Sequence, residues 1–224
     1  MAERSAREAV IEQTKCTGIL PAIKLKQHEN ILPYAHALYE GGARVIEITM
    51  TTPGVLEAIQ GIVTEFGSAL RVGAGTVLDA ASARAAILAG ASLIVNPALI
   101  PEVIMTAHRY GVACYSGAFT ATECLQAIEA GADMIKIFPA ALGGPKYMTN
   151  LRMVYPEANL IPSGGVSLEN AADFIRCGAC AVSGSRNFVD REMIQQCGLS
   201  WITEQTAKYL KIVAEAREQA MPLP

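Results

Sequence analysis

Gly131-Ala132-Asp133-Met134-Ile135-Lys136-Ile137-Phe138-Pro139 is a short apolar run that carries one lysine. Strand alternation sends Met134, Lys136 and Phe138 to one face and Ile135 and Ile137 to the other. Both faces are apolar enough to be buried, as in a parallel strand covered by helices. Lysine is almost never fully buried without a partner. Burial disfavours the ammonium and favours a neutral, nucleophilic amine. The alternative is a strand-end lysine whose head snorkels to solvent. On this stretch alone the two readings stand level.

The same pattern, glycine then alanine then a short apolar strand, occurs three more times. The other copies are Gly42-Ala-Arg-Val-Ile-Glu-Ile, Gly90-Ala-Ser-Leu-Ile-Val-Asn and Gly178-Ala-Cys-Ala-Val-Ser-Gly. Starts at 42, 90, 131 and 178 are 48, 41 and 47 residues apart. Each copy follows a helical pattern that ends at the glycine, as a helix-terminating glycine should. An interval of this size holds two βα units. Further strands fit between the copies at Ile19–Ile23, Leu70–Gly73, Val112–Tyr115 and Leu160–Pro162.

Helical patterns alternate with these strands at Ile31–Glu40, Val55–Phe66, Ala80–Leu88, Pro101–Tyr110, Thr122–Ala130, Lys146–Tyr155, Leu168–Arg176 and Trp201–Gln219. Eight βα units predict an α/β fold, a (β/α)8 TIM barrel occupying residues 1–224 as one domain. An extra N-terminal helix, Glu3–Thr14, is expected across the barrel floor. The competing architecture is an open doubly wound sheet. The count of eight, and the lack of a G-x-G-x-x-G in the first unit, favour the barrel. Gly73-Ala-Gly75-Thr is a βα turn without the third glycine.

The 224 residues are 51% hydrophobic with a net charge of −3 and no basic run, which argues against a nucleic-acid surface. No apolar stretch reaches the roughly 18 residues that span a bilayer. The charged N-terminus, M-A-E-R-S-A-R-E, has no apolar signal region, so a cytoplasmic location is expected. The six cysteines read as small hydrophobes in a reducing compartment. Cys177 and Cys180 have redox or zinc spacing. They lack a second pair, however, and fall where a helix ends and a strand begins, where a thiolate is not favoured.

A barrel places its active site at the C-terminal ends of its strands, and side chains from alternate strands share an interior layer. The four copies are strands 2, 4, 6 and 8. Five positions past each glycine stand Glu47, Val95, Lys136 and Ser183. Glu47 and Lys136, 89 residues apart in sequence, are therefore expected to meet inside the barrel. Such a pair is a structural ion pair, or an amine nucleophile beside a proton-moving carboxylate. Thr49, Thr51 and Thr52 follow strand 2, Asn96-Pro97 strand 4, Ser116-Gly117 strand 5, Ser163-Gly164-Gly165 strand 7 and Gly184-Ser185 strand 8. Glycines after strands 7 and 8 match a barrel phosphate site, or make tight turns only. Arg186 and Lys146 are candidate added charges. His28, His36 and His108 fall in a loop and two helical patterns, away from strand ends. That disfavours a zinc enzyme, and Ser163 and Ser183 lack the partner of a serine hydrolase.

Several motifs taken together resemble one family. They are V-I-E-I-T (Val45–Thr49), V-G-A-G-T-V (Val72–Val77), Asn96-Pro97, G-A-F-T-A-T-E (Gly117–Glu123), I-K-I-F-P (Ile135–Pro139) and S-G-G-V (Ser163–Val166). In this order and spacing the chain resembles the 2-keto-3-deoxy-6-phosphogluconate (KDPG) and 4-hydroxy-2-oxoglutarate (KHG) aldolases over about residues 15 to 190. The resemblance implies a metal- and cofactor-independent class I aldolase, usually a homotrimer. Its substrate would be a small keto acid or sugar-acid phosphate, cleaved to pyruvate and an aldehyde. It implies Lys136 as the Schiff-base lysine and Glu47 as the proton relay. Thr76, Pro97 and Phe138 would line the pyruvate half, and Gly164, Gly165, Gly184 and Ser185 the phosphate end.

One departure bears on substrate binding. Many members carry an arginine for the substrate carboxylate where this chain has Thr51. Lys24 or Lys26, after the first strand, is the candidate replacement charge. Two other functions fit the same barrel: a sugar-phosphate isomerase or epimerase using Lys136 as base, and a non-catalytic sugar-phosphate binding protein.

Overall fold

The computed structural model describes residues 5–219. Helix α1 (Ala6–Thr17) is followed by eight parallel strands: β1 (Ile19–Ile23), β2 (Val45–Thr49), β3 (Arg71–Gly75), β4 (Leu93–Val95), β5 (Ala113–Ala118), β6 (Met134–Ile137), β7 (Leu160–Pro162) and β8 (Val182–Gly184). Between them lie α2 (Leu32–Glu40), α3 (Val55–Phe66), α4 (Ala80–Leu88), α5 (Pro101–Arg109), α6 (Ala121–Glu129), α7 (Ala140–Val154) and α8 (Ala171–Arg176). Helices α9 (Arg191–Cys197) and α10 (Ser200–Glu218) follow β8. The strand order runs from β7 down to β1 and on to β8. A single bridge, Ser163 to Ser183, joins the two ends, so the barrel is nearly closed.

The expected eight βα units are all present. Gly42, Gly90, Gly131 and Gly178 each have positive φ, from 86° to 104°, as helix-ending glycines in the left-handed region. Differences lie at element edges. β3 runs to Gly75 and β5 to Ala118, so Ser116 and Gly117 belong to the strand instead of following it. α7 begins at Ala140, six residues before the expected Lys146, and breaks at Gly144 ahead of Pro145. α8 starts at Ala171 instead of Leu168, because Leu168–Asn170 form a turn in which the Asn170 side chain accepts the Ser167 N–H. α9 was not expected. It fully buries no residue, rests on the core through Ile194, and at seven residues is too short to show an apolar period.

The core has two compartments. One lies between the strands and the surrounding helices, and the other fills the barrel interior with Leu20, Val45, Leu93, Val95, Tyr115, Met134 and Ile161. Alternation sorts them: on β6, Met134 faces inward while Ile135 and Ile137 join the outer core. As expected, α1 closes the floor. Its Val10 packs into the interior cluster and its Thr14 hydroxyl accepts a 2.8 Å hydrogen bond from the Tyr115 hydroxyl. Arg7 holds Asp133, at the start of β6, at 2.7 Å. The expected helix start at Glu3 and Arg4 lies outside the described residues. No helix among the described residues is long and apolar enough to cross a membrane.

Candidate active site

A cavity of about 420 Å³ opens at the C-terminal ends of the strands. Lys136 reaches it from β6 and Glu47 from β2, and the Nζ stands 3.5 Å from Oε2. The whole Lys136 residue is 9% exposed and Glu47 is 1% exposed. The snorkelling alternative is thus set aside: the amine ends in a cavity wall beside a buried carboxylate. The space that lets Glu47 lie there comes from Gly75 on the neighbouring strand. A Cβ at Gly75 would fall 1.6 Å from Oε1.

Ser183 lines the same cavity, but Val95 does not. Val95 belongs to the apolar plug with Leu93, Tyr115 and Met134, so the expected layer of four is a site of three above a hydrophobic base. Thr76, Pro97 and Phe138 line the wall from β3, β4 and β6. Thr76 has φ +59°, a conformation rare for a β-branched residue. Such backbone costs about 1–3 kcal/mol and collects at functional sites. The Phe138 ring lies over Gly164, where a Cβ would come within 2.9 Å of it.

Gly164, Gly165, Gly184 and Ser185 form the opposite wall. Gly165 has φ +96°, and a Cβ there would meet Ala141 at 2.4 Å, so glycine lets this loop pack on the start of α7 while lining the cavity. The start of α9 does not serve this wall. Its N-cap Asp190 takes the N–H groups of Glu192 and Met193 itself. Burial of the Tyr209 ring raises its hydroxyl above the usual tyrosine range. A hydrogen bond with Asn187, another wall residue, works in the other direction.

The structure does not bring Thr51 to the cavity. Its side chain is exposed and its hydroxyl pairs at 3.1 Å with Thr49, which is the residue on the wall. Thr49 also meets Thr52, whose hydroxyl holds the Leu25 N–H and ties the loop after β1 to β2. That loop carries Lys24 to the cavity, whereas Lys26 faces an adjoining cleft. Arg186 lines the cavity and is held by Asp190 at 2.7 Å and Glu192 at 3.3 Å. That pairing lifts its guanidinium above the ordinary range, the Asp190 hydrogen bond counting most. Lys146 is not on the wall. Thr49 and Val166, named above as a strand-end residue and a motif residue, also line it, while Asn187 and Ala22 complete the lining and were not singled out from sequence. Nothing in their local pattern marks them; only closure of the ring collects them.

The histidines stay away from the cavity. His36 pairs with Glu65 and His108 with Asp133. Among the described residues, no group of three or more His, Cys, Asp or Glu is placed to hold a metal.

The family model for KDPG and KHG aldolase matches residues 10–205. This chain belongs to the KDPG and KHG aldolase family. A relative from Treponema pallidum, named 2-dehydro-3-deoxy-phosphogluconate aldolase, is 33% identical over 205 residues, covering 91% of this chain and 97% of its own. The solved native KDPGal structure superposes with a TM-score of 0.83 at 30% identity, over 89% of this chain and 96% of the other. A KDPG aldolase from Legionella pneumophila, solved with pyruvate captured as a covalent carbinolamine, gives 0.81 at 28% identity, over 88% and 96%. These aldolases match nearly end to end, so the family extends over the barrel and not over a fragment of it.

Proposed function

We propose that this chain is a class I aldolase that captures a 2-keto acid on Lys136 and cleaves it to pyruvate and an aldehyde. The substrate class is a 2-keto-3-deoxy-6-phospho sugar acid or 4-hydroxy-2-oxoglutarate. The observation that carries the reading is the 3.5 Å pair of Lys136 and Glu47 in an open cavity at the strand ends. The neutral amine attacks the C2 carbonyl carbon, and the oxygen takes a proton to give a carbinolamine. Loss of water leaves an iminium. The iminium draws the C3–C4 electrons into an enamine as the C4 hydroxyl gives its proton to Glu47 through water. The aldehyde departs, C3 is protonated, and water releases pyruvate and restores the amine.

Thr76, Pro97 and Phe138 are assigned to the pyruvate half, and Gly164, Gly165, Gly184 and Ser185 to the phosphate. Lys24 is assigned the role that an arginine plays in many members. It lines the cavity and makes no ion pair among the described residues, whereas Arg186 is already held by two carboxylates. Thr51 acts only indirectly in this reading, by orienting Thr49. We further propose a cytoplasmic homotrimer, in line with the family resemblance. Leu142, Met153 and Val154 on α7 are each more than half exposed and offer apolar surface for contact. Sedimentation at three times 23.7 kDa tests this.

The chemistry is tested by borohydride reduction in the presence of pyruvate. The expected result is an irreversible mass increase on the Lys136 peptide, lost in Lys136→Met. An isomerase would convert its substrate without trapping pyruvate, and a binding protein would do neither. A panel of phosphorylated and unphosphorylated 2-keto-3-deoxy acids, ranked by kcat/KM, then identifies the substrate.

A further inference from the structure

Ser183 takes no part in the steps above, yet it is 1% exposed and its hydroxyl has no hydrogen-bond partner among the described residues. Leaving a buried hydroxyl unpaired is unfavourable, so a partner supplied from the cavity is favoured. Strand alternation fixes its direction. Val182 belongs to the outer core, while Ser183 sits in register with the interior residue Leu20 and lines the cavity. Glu47 Oε2 faces the same cavity, and it too makes no hydrogen bond, its one partner there being Lys136 Nζ at 3.5 Å. Two such atoms facing one space are completed by what enters it.

The ring order gives Ser183 its place along the substrate. β8 lies two strands from β6 and two from β2, so Ser183 stands between Lys136 and Glu47 on the wall that continues into Gly184 and Ser185. A keto acid attached at Lys136 and held by its phosphate at those loops passes Ser183 with its middle carbons. In a polyhydroxy acid those carbons bear hydroxyls. A serine hydroxyl both donates and accepts, which matches a hydroxyl ligand.

We propose that Ser183 is a specificity residue that hydrogen-bonds the hydroxyl next to the carbonyl of the aldehyde half, and so selects hydroxylated aldehydes over deoxy ones. This rests on the aldolase reading given above. A site built to bond a substrate hydroxyl rejects the analogue that lacks it, because the protein group is left unpaired.

The test uses the synthetic direction, adding pyruvate to glyceraldehyde 3-phosphate or to 3-phosphooxypropanal, which lacks the adjacent hydroxyl. Ser183→Ala is expected to lower kcat/KM about 10- to 100-fold for the hydroxylated aldehyde, and by less than about twofold for the deoxy one. Ser183→Thr, which keeps the hydroxyl, is expected to retain the preference. Ser183→Cys, close in size and a weak donor, reads the same loss if the alanine variant does not fold. Borohydride trapping of pyruvate on Lys136 is expected to be unchanged in every variant. An equal loss on both aldehydes, or no loss on either, overturns the assignment while leaving the aldolase reading intact. Failure of the wild-type protein to trap pyruvate overturns both.

Discussion

The Glu47 carboxylate occupies the space that Gly75, lacking a side chain, leaves open. A Cβ there would stand 1.6 Å from Oε1 and 2.1 Å from the carboxyl carbon. Glu47 is buried and faces Lys136, so it can yield only into the cavity and away from its present position beside the amine. Gly75→Ala is therefore expected to push the carboxylate off its position. Turnover should fall roughly 10²- to 10⁴-fold, the contribution of a positioned acid–base group. Pyruvate trapping on Lys136 should survive, since the amine itself is untouched. Steady-state kinetics with borohydride trapping check the two halves separately. A near-normal kcat would mean that the position of Glu47 does not matter to the chemistry.

Glu47→Gln asks the same question without disturbing the backbone. The amide fills the same space but moves no proton, so kcat should drop by roughly 10²–10⁴. KM for the keto acid should change little. A variant with almost normal kcat would demote Glu47 to a structural partner of Lys136. Removing the charge leaves Lys136 without its buried partner whichever role Glu47 plays, so thermal melting alone does not separate the two roles.

The barrel was legible because one pattern repeats: a helix-ending glycine, an alanine and a two-sided apolar strand. The meeting of Lys136 and Glu47 followed from that register alone. Val95 shows where register stops being enough. It shares the spacing of Lys136 but packs into the plug under the cavity, because depth in a barrel depends on strand stagger as well as on position along a strand. Thr51 was misplaced for a related reason. Its position after β2 says nothing about a turn that hands its hydroxyl to Thr49. Asn187 lies in an irregular stretch with no period to read.

Lys24 is expected to govern affinity more than rate. Lys24→Ala should raise KM for a keto acid about tenfold, the worth of one charge-assisted hydrogen bond, with kcat changed little. The effect should shrink at high salt, because Lys24 is exposed. If kcat falls and KM does not, Lys24 acts in the chemical step and not as a carboxylate or phosphate contact.

Glu123, at the end of the G-A-F-T-A-T-E motif, has a structural task. It closes a capping box at the start of α6 with Thr120 and also takes the Phe119 N–H. Those backbone N–H groups, Thr120 first, hold its carboxyl below the ordinary 4.5. A carboxylate lowered in the folded state contributes stability above its unfolded range and loses it as pH falls through the folded value. Glu123→Gln should therefore cost about 0.5–1 kcal/mol near neutrality, as the loss of a cap does. The gap to wild type should close below pH 4.5. Urea denaturation at a series of pH values measures it, and a gap that widens in acid would contradict the capping role.

The cysteines give a test of the redox reading of Cys177 and Cys180. Burial pushes the Cys180 thiol up to about 11, and its Sγ lies 3.3 Å from the Leu160 carbonyl oxygen, to which it donates. Burial likewise lifts Cys124 to about 11 and Cys114 to about 12, the latter helped by nearby Asp133. Thiolate is the reactive form, so all three should be nearly inert at pH 8. Cys16 and Cys197 are exposed and should react first with an aromatic disulfide reagent. Cys177 is half-buried and should follow. Mass spectrometry of peptides after timed labelling resolves the order, and denaturant should release the remaining three together. Rapid labelling of Cys180 in the native protein, or a disulfide between Cys177 and Cys180 under mild oxidation that changes turnover, would restore the redox role.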